Sequence, residues 1–299
     1  MPLPPLPDPD DRAARVSGLV RAVPVSAFLF STLLAFNAAQ TASLAVRPIS
    51  PRTFRKFNRW AANTWWGWCV TGAEMLHDMR IVVTGNHVPP RENALVLANH
   101  QQMPDITFLM AYARSKDRLG DLKWFAKDII KYVPGVGWGM WFLDCPFLKR
   151  DWTKDREAID QTFARIRRDR IPVWLITFPE GTRITPEKAE RSRQYAREHG
   201  LPRWDHVLVP RTKGFVATVH GLRGHLDAIY DVTIGYERGV PTLWQFVKGF
   251  ARVAHLHVRR YPMDDMPDDD EVLTAWLIDR FDEKNRLLDA FYRDGKFPD

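Results

Sequence analysis

The sequence predicts an α/β protein in which a mixed, largely parallel sheet is flanked by helices and preceded by an apolar N-terminal membrane-anchoring helix or helical hairpin. Three observations predict this fold class. From residue 80 onward, short apolar runs alternate with stretches of helical periodicity. An uncharged, largely apolar stretch occupies residues 23–46. A group of arginines and tryptophans follows it between residues 47 and 68.

The composition indicates the broad class of the protein, and its variation along the chain indicates how the chain divides into segments. Its 299 residues, 45% hydrophobic and 26% charged, are typical of a globular protein with one large domain or two small ones. The two cysteines, Cys69 and Cys145, exclude a disulfide framework and a Cys-rich zinc module. We divide the chain into a flexible tail (1–22), membrane-associated helices (23–76), a main α/β domain (77–260) and a C-terminal helical extension (261–299).

The net charge of +7 favours anionic partners. No recognised nucleic-acid motif accompanies the basic residues, so we expect membrane lipid and anionic small ligands rather than nucleic acid.

The N-terminal stretch is the candidate membrane anchor. Its core AFLFSTLLAF (27–36) is apolar, and the uncharged stretch around it is long enough for a bilayer core of roughly 30 Å. Asn37 and Gln40 make the second half more polar, which leaves a spanning and a monotopic anchor both open. The alternative is a buried helix of the main domain.

The residues after this stretch favour a membrane-associated helix over a helix buried in the main domain. Cations beside an apolar helix favour the cytoplasmic face of a membrane, and indole rings favour the headgroup layer. Residues 59–76 are then a second helix in the interface or the return arm of a hairpin. We therefore expect a membrane protein whose main domain lies on the cytoplasmic face. The side chains concerned are Arg47, Arg52, Arg55, Lys56, Arg59, Trp60, Trp65, Trp66 and Trp68.

Five compact apolar runs predict strands of the main domain, and a sixth strand is predicted where Ala254, Leu256 and Val258 alternate with His255 and His257. We interpret those two histidines as solvated strand residues rather than metal ligands. A C-terminal helix is predicted after the acidic stretch 262–271, with one apolar face made by Val272, Trp276, Leu277, Phe281 and Leu288. The five runs are RIVVTG (80–85), ALVLA (94–98), LKWFA (122–126), VWLITF (173–178) and HVLVP (206–210).

The stretch Asn99-His100-Gln101-Gln102-Met103-Pro104-Asp105 follows one of these strands. Pro104 suits the first position of a helix, so Asp105 can reach back from the first helical turn to the His100 ring. A carboxylate that holds Nδ1–H leaves Nε2 free to act as a general base. The alternative is a His and an Asp that only cap a helix.

Three further blocks bring charged groups to the ends of predicted strands. A carboxylate and a guanidinium lie on one turn in the block Phe178-Pro179-Glu180-Gly181-Thr182-Arg183. There Arg183 could bind a phosphate through two hydrogen bonds, and Glu180 could hydrogen-bond a hydroxyl. Phe147-Leu148-Lys149-Arg150 places two cations after an apolar run. The stretch VPRTKGF (209–215) is another predicted strand end with cations.

With these four blocks in this order, the chain resembles the glycerolipid (lysophospholipid) acyltransferase family over roughly residues 80–260. The fuller block VPRTKGF and the tail RRYPMDD…FYRDGKFP (259–298) resemble its 1-acylglycerol-3-phosphate and lysocardiolipin acyltransferase branch. Gln102 stands where the family frequently has Ser, which affects only the fine positioning of substrate.

The resemblance implies that His100, oriented by Asp105, activates the free glycerol hydroxyl of a lysophospholipid for attack on acyl-CoA. It also implies that Arg150, Glu180, Gly181, Thr182 and Arg183 bind the acceptor. Pro210 and Lys213 would line the donor or acyl side. No metal and no cofactor are expected, since acyl-CoA is a substrate.

The acceptor stays open at this point. Lysophosphatidic acid, which gives phosphatidic acid, is the default, and lysophosphatidylglycerol, lysophosphatidylinositol and lysocardiolipin are the alternatives, because a cationic site suits them all. An alternative of another class is a catalytically idle lipid-binding protein with the same fold. The presence of both His100 and Asp105, together with Glu180 and Arg183, favours the enzyme.

Overall fold

A computed structural model of the chain describes residues 3–149 and 152–298. Helices and strands alternate along the main domain, as the sequence predicts. The helices are α1 (Arg12–Ala42), α2 (Pro51–His77), α3 (Pro104–Ser115), α4 (Val136–Phe142), α5 (Trp152–Arg168), α6 (Pro186–Glu198), α7 (Thr212–Leu222), α8 (Leu243–Val247) and α9 (Asp270–Asp294). The strands are β1 (Arg80–Gly85), β2 (Ala94–Ala98), β3 (Leu122–Trp124), β4 (Ala126–Lys127), β5 (Phe147–Leu148), β6 (Trp174–Thr177), β7 (Ala228–Gly235) and β8 (Val253–Pro262).

The main sheet has the strand order β1-β8-β7-β2-β6-β3. Every neighbouring pair is parallel except β7 and β8, which are antiparallel. The predicted mixed, largely parallel sheet is therefore confirmed. Because β7, β2 and β6 run in the same direction, their carboxyl ends lie along one edge of the sheet.

Helices cover both faces of this sheet and enclose two apolar cores. Side chains that alternate along β2 point to opposite faces. Ala94, Val96 and Ala98 pack with residues of α2 and α3 on one face, whereas Leu95 and Leu97 pack with α5, α7 and α9 on the other. The sheet edge that carries the carboxyl ends of β7, β2 and β6 is thus held between two packed layers of helices.

The two N-terminal helices form an antiparallel hairpin. A 3₁₀ turn at Ser43–Val46 follows α1, and Ser50 caps the N-terminus of α2 by accepting a hydrogen bond from the Thr53 N–H. Trp65 Nε1 donates to the Leu29 carbonyl at 3.2 Å, and Asn58 Nδ2 donates to Ser43 Oγ at 3.2 Å. The segment Arg12–Val46 is long and apolar enough to cross a membrane, and 11% of its most apolar stretch is buried. This exposed apolar helix is consistent with membrane association.

Two local expectations were wrong, and one strand was not predicted. Helix α1 begins at Arg12, where the Asp11 carboxylate caps it, so residues 12–22 are helical rather than a flexible tail. Residues 206–210 form a loop rather than a strand; Val207 packs into the second core and Leu208 is also buried. The strand that follows is instead β7, which has no alternating pattern because it is buried on both faces.

The C-terminal helix is present as α9, with Asp269 as its N-cap and Gly295 in the left-handed conformation at its end. Leu277, Phe281 and Leu288 form its buried face, as predicted. Val272 does not belong to that face, since it is 52% exposed.

Candidate active site

The turn that carries His100 lies at the carboxyl end of β2, and it is fixed by its neighbouring strand. Asn99 donates from Nδ2 to the Ile234 carbonyl at 3.1 Å and accepts from the Ile234 N–H at 2.7 Å. These two bonds let a side chain of β2 continue the pairing with β7 beyond the last residue of the strand. Helix α3 then begins at Pro104, as the sequence predicts.

His100 and Asp105 form the predicted hydrogen-bonded pair, with 2.9 Å between Nδ1 and Oδ2. Asp105 is fully buried, and its Oδ2 also accepts from the backbone N–H groups of Gln101 and Gln102 at 2.8 and 2.9 Å. Its other oxygen, Oδ1, accepts from the Tyr236 hydroxyl at 2.6 Å. Four donors therefore hold the carboxylate in one orientation, and the carboxylate in turn holds the imidazole.

The His100 ring is packed and only its edge reaches solvent. It stacks on Phe178, with ring centroids 4.0 Å apart and an interplanar angle of 17°, and its side chain is 12% exposed. The His100 carbonyl accepts from the Ile184 N–H at 3.0 Å. No hydrogen-bond partner of Nε2 is found among the described residues, so this nitrogen is available to a substrate.

Glu180 does not extend from its loop as predicted. It is buried, and its Oε1 accepts from the His100 backbone N–H at 3.4 Å. Its Oε2 has no hydrogen-bond partner in the described part of the chain. Burial raises the pKa of Glu180 well above its ordinary value, the negative charge of Asp105 raises it further, and the positive charge of Lys284 opposes the change. Glu180 thus contacts the buried side of the His100 turn through the backbone and does not face the solvent.

Lys284 brings a buried positive charge from α9 to the same region. Its Nζ lies 2.7 Å from Asp231 Oδ1 and donates to the Val232 carbonyl at 2.6 Å. Burial lowers the pKa of Lys284, and the Asp231 carboxylate opposes this effect. The Lys284–Asp231 pair therefore joins the C-terminal helix to β7, beside the end of β2.

The rest of the Phe178–Arg183 block forms a tight turn at the end of β6. Gly181 has φ +68°, and a Cβ at this position would lie 3.0 Å from Arg211 Nε, so glycine is favoured there. Thr182 Oγ1 accepts from Lys188 Nζ at 2.7 Å. Arg183 is exposed and its guanidinium donates to Gln102 Oε1, which joins this turn directly to the His100 turn.

The remaining predicted site residues are less informative. Arg150 lies outside the described residues. Pro210 is buried and Lys213 is exposed at the start of α7. The Arg211 N–H donates to the Pro179 carbonyl at 2.8 Å, so the 209–215 block lies against the Phe178–Arg183 block, although it is a loop that leads into α7 and not the end of a strand.

His255 and His257 are not solvated, which corrects the sequence interpretation. Both are buried in β8; His255 Nε2 lies 2.6 Å from Glu237 Oε1, and His257 Nδ1 lies 3.0 Å from Thr84 Oγ1. No group of three or more metal-ligating side chains is found in residues 3–149 and 152–298.

Sequence reasoning missed Tyr236, Lys284 and Arg211. Lys284 had a usable signal, because it lies three residues after Phe281 and four before Leu288 on the apolar face of α9. A lysine in that position predicts a buried charge with a partner. Tyr236 had no such signal, since it is 131 residues from Asp105 in the chain.

The chain is similar to known proteins over most of its length. Residues 80–263 match the family model described as Acyltransferase, and residues 245–299 match the model described as Acyltransferase C-terminus. The chain is 34% identical to 1-acyl-sn-glycerol-3-phosphate acyltransferase 2 of Arabidopsis thaliana, over 92% of this chain and 73% of the relative. It is 35% identical to 1-acyl-sn-glycerol-3-phosphate acyltransferase delta of Homo sapiens, over 91% and 73%.

A solved structure shares the fold. The crystal structure of the 1-acyl-sn-glycerophosphate (LPA) acyltransferase PlsC from Thermotoga maritima superposes with a TM-score of 0.54. The match covers 91% of this chain and 98% of that one at 17% identity.

Proposed function

Since this chain belongs to the acyltransferase family, we propose that it transfers a fatty acyl group from acyl-CoA to the free glycerol hydroxyl of lysophosphatidic acid, giving phosphatidic acid. The names of its relatives support this acceptor. The observation that carries the proposal is the 2.9 Å hydrogen bond between His100 Nδ1 and the fully buried Asp105 carboxylate. This arrangement leaves Nε2 at the edge of the site.

In the proposed reaction, Asp105 keeps the proton on Nδ1 and thereby makes Nε2 the basic nitrogen. Nε2 takes the proton of the acceptor hydroxyl as its oxygen attacks the thioester carbonyl. The new ester bond forms, the carbon–sulfur bond breaks, and the imidazolium returns its proton to the CoA thiolate. No acyl-enzyme forms, because the histidine acts on the acceptor and not on the donor.

The acceptor phosphate is assigned to Arg183, which is exposed on the turn that contacts the His100 turn. A guanidinium can bind a phosphate through two parallel hydrogen bonds. Gly181, Thr182 and Arg150 remain the other proposed acceptor residues. Glu180 supports the site from within, through the His100 N–H, because its carboxylate is buried.

The donor side is assigned to Pro210 and Lys213, next to the Gly181 turn that Arg211 contacts. We further propose that the catalytic domain lies on the cytoplasmic face of a membrane to which α1 anchors it. The arginines that follow α1, Arg47 and Arg52 among them, favour the anionic face.

The test is a thiol-release assay on detergent-purified, full-length protein. Oleoyl-CoA is offered with lysophosphatidic acid, lysophosphatidylglycerol, lysophosphatidylinositol or lysocardiolipin, and without acceptor. We expect CoA release that requires an acceptor and is fastest with lysophosphatidic acid. Folded protein that releases no CoA with any acceptor would overturn the proposal, and a faster reaction with another lysophospholipid would change the acceptor.

The same assay tests the role of Arg183. Arg183→Gln should raise KM for lysophosphatidic acid by about tenfold, because one charge-assisted contact is lost, with little change in KM for oleoyl-CoA. Arg191→Gln, an exposed arginine on α6, is the matched control. Equal changes in both KM values would count against an acceptor role for Arg183.

A further inference from the structure

A cavity separate from the His100 site lies between the N-terminal hairpin and the main domain. It has a volume of about 300 Å³, and its wall combines the start of α2 with α4, the β5 region and α5. This size is at the lower end for pockets that bind small ligands. None of its lining residues belongs to the catalytic machinery described above.

The lining of this cavity is cationic. Four cations, Arg47, Arg55, Lys131 and Arg165, face two carboxylates, Asp128 and Asp144, which leaves an excess of two positive charges. The carboxylates are already engaged: Asp144 lies 3.2 Å from Arg165 and 4.0 Å from Arg55, and Asp128 lies 2.7 Å from Lys131. Arg55 also forms an ion pair with Asp169, which does not line the cavity, so the positive charge left available to an anion is that of Arg47.

Two donors in the cavity lack an acceptor. Arg165 Nε is buried and has no hydrogen-bond partner among the described residues. For Arg47 no carboxylate within ion-pair distance is found in the described part of the chain. Its guanidinium instead lies 5.7 Å from the ring centre of Phe54 and 6.0 Å from that of Trp141. Guanidinium groups held in this way are suited to a phosphate, which offers several acceptor oxygens.

The surroundings of the cavity are apolar and exposed. Helix α4 packs on α1, where the Leu33 side chain occupies the space that a Cβ at Gly135 would need. Elsewhere in this region, between residues 129 and 141, large apolar side chains are exposed: Ile129, Tyr132, Val133, Val136, Trp138 and Trp141. These residues extend the exposed apolar surface of α1, which is long and apolar enough to span a membrane. Exposed tryptophans with adjacent arginines are typical of the headgroup level of a bilayer.

From the excess charge, the unpaired donors and the apolar rim, we propose that this cavity binds the phosphate headgroup of an anionic membrane phospholipid. The lipid phosphate accepts hydrogen bonds from Arg47 and Arg165, and the side chains of the 129–141 region enter the acyl layer beside it. The site gives the catalytic domain a second contact with the membrane, independent of the substrate that the His100 site processes.

The experiment measures the rise in Tm of full-length protein in non-ionic detergent as dioctanoyl phosphatidylglycerol is added. Arg47→Gln is compared with Arg52→Gln, which removes the same charge from the exposed start of α2 but does not line the cavity. We expect saturable stabilisation in the wild type and in Arg52→Gln, whereas Arg47→Gln should require about tenfold more lipid. Both variants should keep wild-type kcat, so this result does not depend on the proposed acyl transfer.

Three outcomes would overturn the proposal. The first is an equal loss in Arg47→Gln and Arg52→Gln, which indicates general electrostatic attraction. The second is an Arg47-dependent rise in Tm with inorganic phosphate or CoA but not with phosphatidylglycerol, which changes the source of the phosphate. The third is an equal rise with zwitterionic dioctanoyl phosphatidylcholine, which removes the requirement for an anionic lipid.

Discussion

The two ends of the chain are long helices with opposite relations to their surroundings. Helix α1 is largely apolar, yet it leaves Val20, Phe28 and Phe30 exposed. Helix α9 is rich in charged residues, yet it buries Lys284 completely against Asp231. Hydropathy alone would place α1 in the core and α9 at the surface.

This difference shows which helix belongs to the catalytic domain. Apolar side chains left in contact with water have no favourable free energy to gain there, so the exposed surface of α1 fits a lipid environment. A buried charge persists only where it is paired and hydrogen-bonded, so Lys284 marks the place where α9 completes the interior. That place is directly beside the strand ends that carry the active site.

The largest expected effect comes from removing the Lys284 charge. Lys284→Met leaves Asp231 buried without its partner, which should lower the free energy of unfolding by about 3–5 kcal/mol. For a chain of this size the corresponding fall in Tm is about 10 °C. Thermal unfolding followed by circular dichroism measures it.

The control for this prediction is Arg286→Met, which removes an exposed charge from the same helix and should change Tm little. Replacing both members of the buried pair, as in Lys284→Met/Asp231→Leu, should recover part of the loss because no unpaired charge remains. If Lys284→Met is as stable as Arg286→Met, the buried charge does not stabilise the attachment of α9, and the difference drawn between the two helices is wrong.

An intermediate effect is expected from placing a charge on α1. Phe30 is 59% exposed, so Phe30→Asp should leave Tm in detergent nearly unchanged. It should weaken partition into phosphatidylglycerol-containing vesicles by about 3 kcal/mol, the cost of an aspartate near the centre of a membrane helix. Val272→Asp makes a similar change at an exposed apolar residue of α9 and should not alter vesicle binding. Equal partition of the two variants would remove α1 as the anchor.

The smallest effect, taken per pH unit, concerns Glu180, whose carboxyl group interacts electrostatically with Lys284. Burial raises the pKa of Glu180, so the folded protein holds its proton more tightly than the unfolded chain does. The stability that this proton contributes is fully present below the ordinary pKa of 4.5 and is lost as pH rises through the raised pKa. Glu180→Gln should therefore remove a decline of up to about 1.4 kcal/mol per pH unit above pH 4.5.

Urea unfolding of wild type and Glu180→Gln across this pH range measures the difference. Glu187→Gln, an exposed change in α6, is the control and should follow the wild type. Parallel pH profiles for all three proteins would show that Glu180 does not titrate during unfolding.

The sequence was informative about the site wherever the contacts are local. The His100–Asp105 bond joins residues five apart, so a strand, a turn and Pro104 at the start of a helix were sufficient to predict it. The charge on Arg183 was likewise readable, since a turn at a strand end exposes it.

Contacts between residues far apart in the sequence could not be predicted from local patterns. The burial of Glu180 depends on a loop and a helix more than 20 residues away, and Tyr236 meets Asp105 only because β7 lies beside β2. Periodicity also failed for two segments: β7 is buried on both faces and has no alternation, and the apolar residues 206–210 form a loop.

The most direct test of the account is the turnover number of His100→Ala in acceptor-dependent CoA release, with Tm measured on the same preparation. If His100 is the general base, kcat should fall by about 10²–10⁴-fold while Tm stays close to the wild-type value. His87→Ala, an exposed histidine outside the site, should keep wild-type kcat. A folded His100→Ala protein that retains turnover within a few-fold of wild type would contradict the assignment of His100 and the mechanism built on it.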